Sequence, residues 1–160
     1  MTLPEFSHQV VAETSQAMVD LGHRLGARLS AGDVLVVSGE LGAGKTTLAQ
    51  GLGAGLGVAG RICSPTFVLS RVHQSLTGGP DLVHVDAYRL GGAAELEDID
   101  LESSLADSVT FIEWGAGVAE WLADDRLEII IERSADPLDD TRVVLLTGYG
   151  QRWAKVLEGL

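Results

Sequence analysis

The 160 residues, 46% of them apolar, suffice for one domain with a sizeable core and exclude a disordered tail. The net charge of −12 is lopsided: residues 1–80 hold five basic and five acidic side chains, residues 81–160 six and eighteen, so direct, tight binding of nucleic acid is not expected. No apolar run approaches the roughly 20 residues of a membrane span, the start MTLPEFSHQVVAETSQ lacks the pattern of a secretion signal, and Cys63, the only cysteine, allows no intrachain disulfide, so a cytoplasmic protein is predicted.

In chain order, residues 12–29 read as an amphipathic helix, with Met18, Leu21, Leu25 and Leu29 three or four apart. Residues 33–38, DVLVVS, have the apolar run of a buried parallel strand. A glycine-rich stretch follows, then a helix with Leu48, Leu52 and Leu56 on one stripe. Gly51, Gly53 and Gly55 lie in that same helix at a cost of about 1 kcal/mol each relative to Ala, so close packing or bound phosphate must offset them. TFVLSRVHQSL (66–76) and DLVHVDAYRL (81–90) flank the turn TGGP and predict an antiparallel hairpin. Beyond it come a helix at 93–106, a strand at 108–113, a short helix at 116–123, strands at 126–132 and 141–147 around SADPLDD, and a helix near 150–158. With no linker or repeat, residues 1–160 form a single α/β domain with a mixed, partly parallel sheet and antiparallel edge strands.

The strongest local signal is GELGAGKT at 39–46, where Gly39, Gly44, Lys45 and Thr46 fit G-x-x-x-x-G-K-[ST] between an apolar strand and an amphipathic helix. This is a P-loop, so the domain is expected to be a three-layer P-loop NTPase-like fold. The backbone from Gly39 through Glu40, Leu41, Gly42, Ala43 and Gly44 to Thr47 would cradle phosphates, helped by the helix dipole. Lys45 would reach the β- and γ-phosphates of ATP, and the Thr46 hydroxyl would bind Mg²⁺. The metal site needs a carboxylate at the end of a strand beside the loop strand. Asp86, closing LVHVD, and Glu113, closing SVTFIE, both qualify. Thr66, in Ser64-Pro65-Thr66, stands where switch-type NTPases place a γ-phosphate sensor, although locally the segment reads as a turn before a strand.

Together ET at 13–14, GELGAGKTTL at 39–48, SPTF at 64–67, HVDAYRL at 84–90, ELEDIDLE at 95–102 and IEW at 112–114 resemble the TsaE (YjeE) family of P-loop ATPases. SPTF and H-x-D-x-Y-R-L are far more specific than the P-loop. The resemblance implies a part in making threonylcarbamoyladenosine in tRNA, with ATP hydrolysis acting on a TsaB–TsaD complex that itself carries out the transfer. It further implies that Lys45, Thr66, Asp86 and Glu113 serve hydrolysis, Thr46 and Glu113 hold Mg²⁺, and Thr14 and Trp114 lie near the ATP or ADP. Tyr88 and Arg89, beside Asp86, would belong to a partner-facing surface. Glu40 replaces a frequent Asp and Gly115 a frequent Pro, departures that touch local geometry only.

Three rival readings fit the loop less well or differ only in turnover. A small-molecule kinase usually carries an arginine-rich lid, whereas only Arg89 lies between residues 72 and 125. A GTPase would need an N-K-x-D segment, which the chain lacks. A non-catalytic nucleotide-sensing adaptor would differ only in lacking turnover.

Overall fold

The computed structural model describes residues 6–40, 42–60, 62, 70–86, 104–114 and 123–160. Among these residues ten elements follow in order: β1 (Phe6–Ala12), α1 (Ser15–Gly26), β2 (Val34–Gly39), α2 (Lys45–Leu56), β3 (Ser70–His73), β4 (Asp81–Asp86), β5 (Ser108–Glu113), β6 (Arg126–Arg133), β7 (Arg142–Tyr149) and α3 (Arg152–Leu157). The seven strands form one sheet in the order β1-β7-β6-β2-β5-β4-β3. Strands β6, β2, β5 and β4 run parallel, while β3, β7 and β1 are added antiparallel. The mixed α/β class and its antiparallel edges are as the sequence predicts.

Two expectations change. The segment assigned to one helix from residue 12 holds the end of a strand, whose Ala12 pairs with Arg142 of β7. Thr14 then starts the helix, its hydroxyl accepting a hydrogen bond from the Ala17 amide at 3.0 Å. Strand β1 went unseen because FSHQVVA carries only a weak alternation and gains its order from pairing with a strand more than 130 residues away. Residues 104–107, where the 93–106 helix was to end, form a turn. Residues 87–103 and 115–122, which hold the rest of that helix and most of the one at 116–123, lie outside the described residues.

Alternation sorts the sheet. Leu35, Val37, Phe111, Leu127, Ile129, Ile131, Val144 and Leu146 share one core with Met18, Leu21, Leu25, Leu48 and Leu52 of α1 and α2. Val34, Val36, Val83, Val85 and Ile112, pointing the other way, are buried as well. At the far end from the P-loop, Arg152 grips Asp33 with two nitrogens at 2.6 Å, and Arg28 donates to the carbonyls of Val156 and Glu158. These contacts tie α3 to the start of β2.

The glycines of α2 find their reason in packing. A β-carbon at Gly51 would overlap the Val19 carbonyl oxygen, and one at Gly55 the carbonyl oxygen of His23. On α1, Gly22 and Gly26 meet the carbonyls of Leu48 and Leu52 in the same way. The two helices therefore touch backbone to backbone, and the open alternative, phosphate as the compensating partner, is not needed to explain them. Gly51→Ala and Gly55→Ala should each destabilise the fold by about 1–3 kcal/mol through overpacking, although Ala is the better helix former by about 1 kcal/mol. Urea denaturation of each variant checks this, and unchanged midpoints would refute the seam.

His73 supplies a second test. Burial holds its pKa below the ordinary 6.5, with the repulsion of His84 and Arg71 adding to the effect and a 3.2 Å contact with the Ala59 carbonyl opposing it. Below about pH 6.5 the unfolded chain therefore takes up a proton that the folded chain resists, so stability falls as pH falls through that range. Melting temperatures at pH 7.5 and 5.0 should converge in His73→Gln relative to the parent protein.

Candidate functional site

Parallel strands end together, and here the C-terminal ends of β2, β5 and β4 bring Gly39, Glu113 and Asp86 to one edge of the sheet. The chain leaves β2 through a loop in which Gly42 (φ 77°) and Gly44 (φ 111°) adopt the left-handed backbone that a side chain would oppose. Gly44 then begins α2 with no side-chain cap and no acidic residue in the first turn. Such a helix start suits an anion.

Lys45, 6% exposed, folds back over this loop. Its ammonium donates to the carbonyls of Gly39 at 2.7 Å and Glu40 at 3.0 Å, and stands 4.0 Å from the centre of the Trp114 ring. Burial pulls its pKa below the ordinary lysine value, against the opposing pull of Glu113 and Asp86. Trp114 is half-buried and has φ 62°, left-handed backbone that costs a non-glycine residue about 1–3 kcal/mol. Its amide donates to the Val37 carbonyl at 2.8 Å, which fixes the bend that turns the ring over Lys45. Trp114 thus stands half-buried against Lys45, outside the buried core.

The two carboxylates separate by register. Val37 of the loop strand pairs with Glu113, whose strand is its neighbour, and Glu113 pairs in turn with Asp86, one strand further out. Both are buried. Thr46 Oγ1 donates to Glu113 Oε1 at 3.3 Å. Of the two candidates, Glu113 alone lies beside the P-loop strand, and it is the one in contact with Thr46. Leu41, Thr66, Tyr88 and Arg89 lie outside the described residues.

Thr14 and Thr47 reach the site from the side. With Ser15, Met18, Gly42, Ala43, Gly44, Asp140 and Arg142 they line a small cleft of about 80 Å³. A wider one, about 680 Å³, opens between Gly39–Glu40 and residues 130–137. Arg133 and Arg142 face each other across β6 and β7. Arg142 Nε donates to the Ala43 carbonyl at 3.1 Å, and Arg133 Nη1 lies 3.4 Å from where a β-carbon of Gly42 would stand. Strand pairing, which no local motif announces, thus brings Arg133 and Arg142 beside the loop. His84 is a further residue that the reading did not single out, its Nε2 3.3 Å from Glu113 Oε1.

Comparison with known proteins bears on the family. Residues 12–143 match the family described as threonylcarbamoyl adenosine biosynthesis protein TsaE. The tRNA threonylcarbamoyladenosine biosynthesis protein TsaE of Streptomyces coelicolor is 59% identical over 86% of this chain and 94% of its own. The protein of the same name from Bacillus subtilis is 37% identical over 81% and 78%. The crystal structure of Bacillus subtilis YdiB superposes with a TM-score of 0.76 at 27% identity, covering 99% of this chain and 95% of that one. By its motifs, its fold and its relatives, this chain belongs to the TsaE family.

Proposed function

We propose that this protein binds Mg²⁺-ATP on the loop 39–46 and hydrolyses it as the ATPase component of the machinery that makes threonylcarbamoyladenosine in tRNA, acting on a TsaB–TsaD complex. The observation that carries the reading is the convergence of Lys45, Thr46 and Glu113 where β2 and β5 end. The relatives' names supply the tRNA modification; the site supplies the nucleotide chemistry.

The residues present suit the nucleotide and its cation. Mg²⁺ is commonly held by one or two carboxylates together with substrate phosphates, and the Thr46 hydroxyl and Glu113 carboxylate, 3.3 Å apart, are hard oxygen donors of that kind. When bound, the cation would neutralise charge on the transferred phosphoryl group. The loop amides and the start of α2 bind the phosphates, and Lys45, already confined to the loop by two carbonyls, meets the terminal phosphates with little further ordering. Asp86, paired in register with Glu113, is proposed to serve hydrolysis beside it, and Thr66 is assigned the γ-phosphate contact by its motif. Thr14 and Trp114 flank the nucleotide. The acidic second half of the chain offers a basic partner surface something to meet.

Lys45→Ala should weaken ATP binding about 100-fold, the worth of one or two charge-assisted hydrogen bonds. Calorimetry measures it, and near-parental affinity would show that the loop is not the working site. Glu113→Ala and Thr66→Ala should keep ADP binding and lose partner-stimulated turnover, because a metal ligand and a γ-phosphate contact act on the triphosphate state. Steady-state ATPase activity with and without TsaB and TsaD is the deciding assay: slow turnover alone, a rise with partners, and a smaller rise at high salt. Partner binding without any gain in turnover would instead support a nucleotide-sensing adaptor.

A further inference from the structure

Glu113 is approached from two sides. From α2 comes the Thr46 hydroxyl; from within the sheet comes His84, two residues before Asp86 on the same face of β4. The register pairs His84 with Phe111 and Asp86 with Glu113, so the imidazole lies diagonally behind the Glu113 carboxylate. The ring is fully buried and meets Phe111 edge to face at 5.4 Å. Its Nε2 stands 3.3 Å from Glu113 Oε1, the same oxygen that accepts from Thr46. That approach is within ion-pair distance but off the line of a hydrogen bond, and among the described residues neither ring nitrogen has a hydrogen-bond partner.

A buried imidazole with unmet nitrogens is a costly way to fill space that Phe or Leu would fill without penalty. What histidine adds there is an N–H within reach of one carboxylate. Thr46 and His84 share a single oxygen of Glu113, so engaging the Thr46 oxygen elsewhere leaves Glu113 to turn toward the histidine.

Building on the Mg²⁺-nucleotide reading of the site, we infer that His84 is the positioning residue of Glu113: its Nε2–H donates to the carboxylate and fixes the orientation in which Glu113 serves the cation. His84 itself touches neither nucleotide nor metal. Groups that orient a metal ligand from behind change metal affinity about 10–100-fold when removed, and an effect of that size on Mg²⁺ is the expected signature.

The experiment compares the full chain with His84→Phe, which keeps the ring packing, and His84→Gln, which keeps a donor. Calorimetry reads the affinity for a non-hydrolysable ATP analogue in EDTA and then with added Mg²⁺. His84→Phe should bind like the parent in EDTA and lose about 10–100-fold of the Mg²⁺ enhancement, with His84→Gln recovering most of it. Long-range ¹H–¹⁵N correlation on the parent protein with Mg²⁺ and analogue bound should place a proton on His84 Nε2, a readout that stands even if His84→Phe does not fold. Full Mg²⁺ enhancement in His84→Phe, equal loss of binding in EDTA, or an unprotonated Nε2 would each overturn the inference while leaving the nucleotide reading intact. A parent protein whose analogue binding ignores Mg²⁺ would overturn the metal reading and this inference with it.

Discussion

The closeness of α1 to α2 is the constraint on which the rest of the structure hangs. Gly22 and Gly26 on one helix, and Gly51 and Gly55 on the other, leave the space that each opposing carbonyl occupies. The helices lie parallel, with Met18 against Gly44 at one end and His23 against Gly55 at the other. Both helix starts therefore reach the same edge, where Thr14, Ser15 and Met18 face Gly42, Ala43 and Gly44 across the small cleft. Because α2 continues directly from the loop, any side chain forced into the seam would displace Lys45 and Thr46 too. Interior glycines that weaken a lone helix by about 1 kcal/mol apiece are what allow this one to be held in place.

The parallel register does for the carboxylates what the seam does for the loop. Residues at the ends of adjacent parallel strands are brought level, so Val37, Glu113 and Asp86 stand in a row. Apart from the family resemblance, which favoured Glu113 as the metal ligand, Asp86 and Glu113 looked equal, because each closes a short apolar run. Strand order breaks the tie. Glu113 lies one strand from the loop and touches Thr46, while Asp86 lies two strands away.

Legibility followed the range of the interactions. The loop at 39–46 could be singled out from eight consecutive residues because its signal is local, with Gly42 and Gly44 at positive φ and a lysine at a fixed offset. Strands β2, β4 and β5 were visible as apolar runs because they are buried on both faces. Strand β1 was missed because its partner lies at the other end of the chain. Arg142 was missed for the same reason: its bond to the Ala43 carbonyl spans 99 residues and depends on β7 being added beside β6. The glycines of α2 were noticed but not explained, since their explanation is the shape of another helix. His84 sat inside a recognised motif, yet only the offset between β4 and β5 reveals that it backs onto Glu113.

The balance of charge at this edge argues for a site that is completed by what it binds. Glu113, Asp86 and Lys45 are all buried, two formal negative charges against one positive. Charges withdrawn from water cost several kcal/mol each unless they are paired. Lys45 meets this cost by sharing its protons with two loop carbonyls and laying its charge against the Trp114 ring. Glu113 draws on Thr46 and the edge of His84. A divalent cation would turn the local excess from negative to positive, and nucleotide phosphates would in turn consume that positive charge. On the proposed reading, a cation beside the carboxylates would remove the repulsion that phosphates otherwise meet there, which would link metal affinity to phosphate affinity through Coulomb energy before any conformational change is considered.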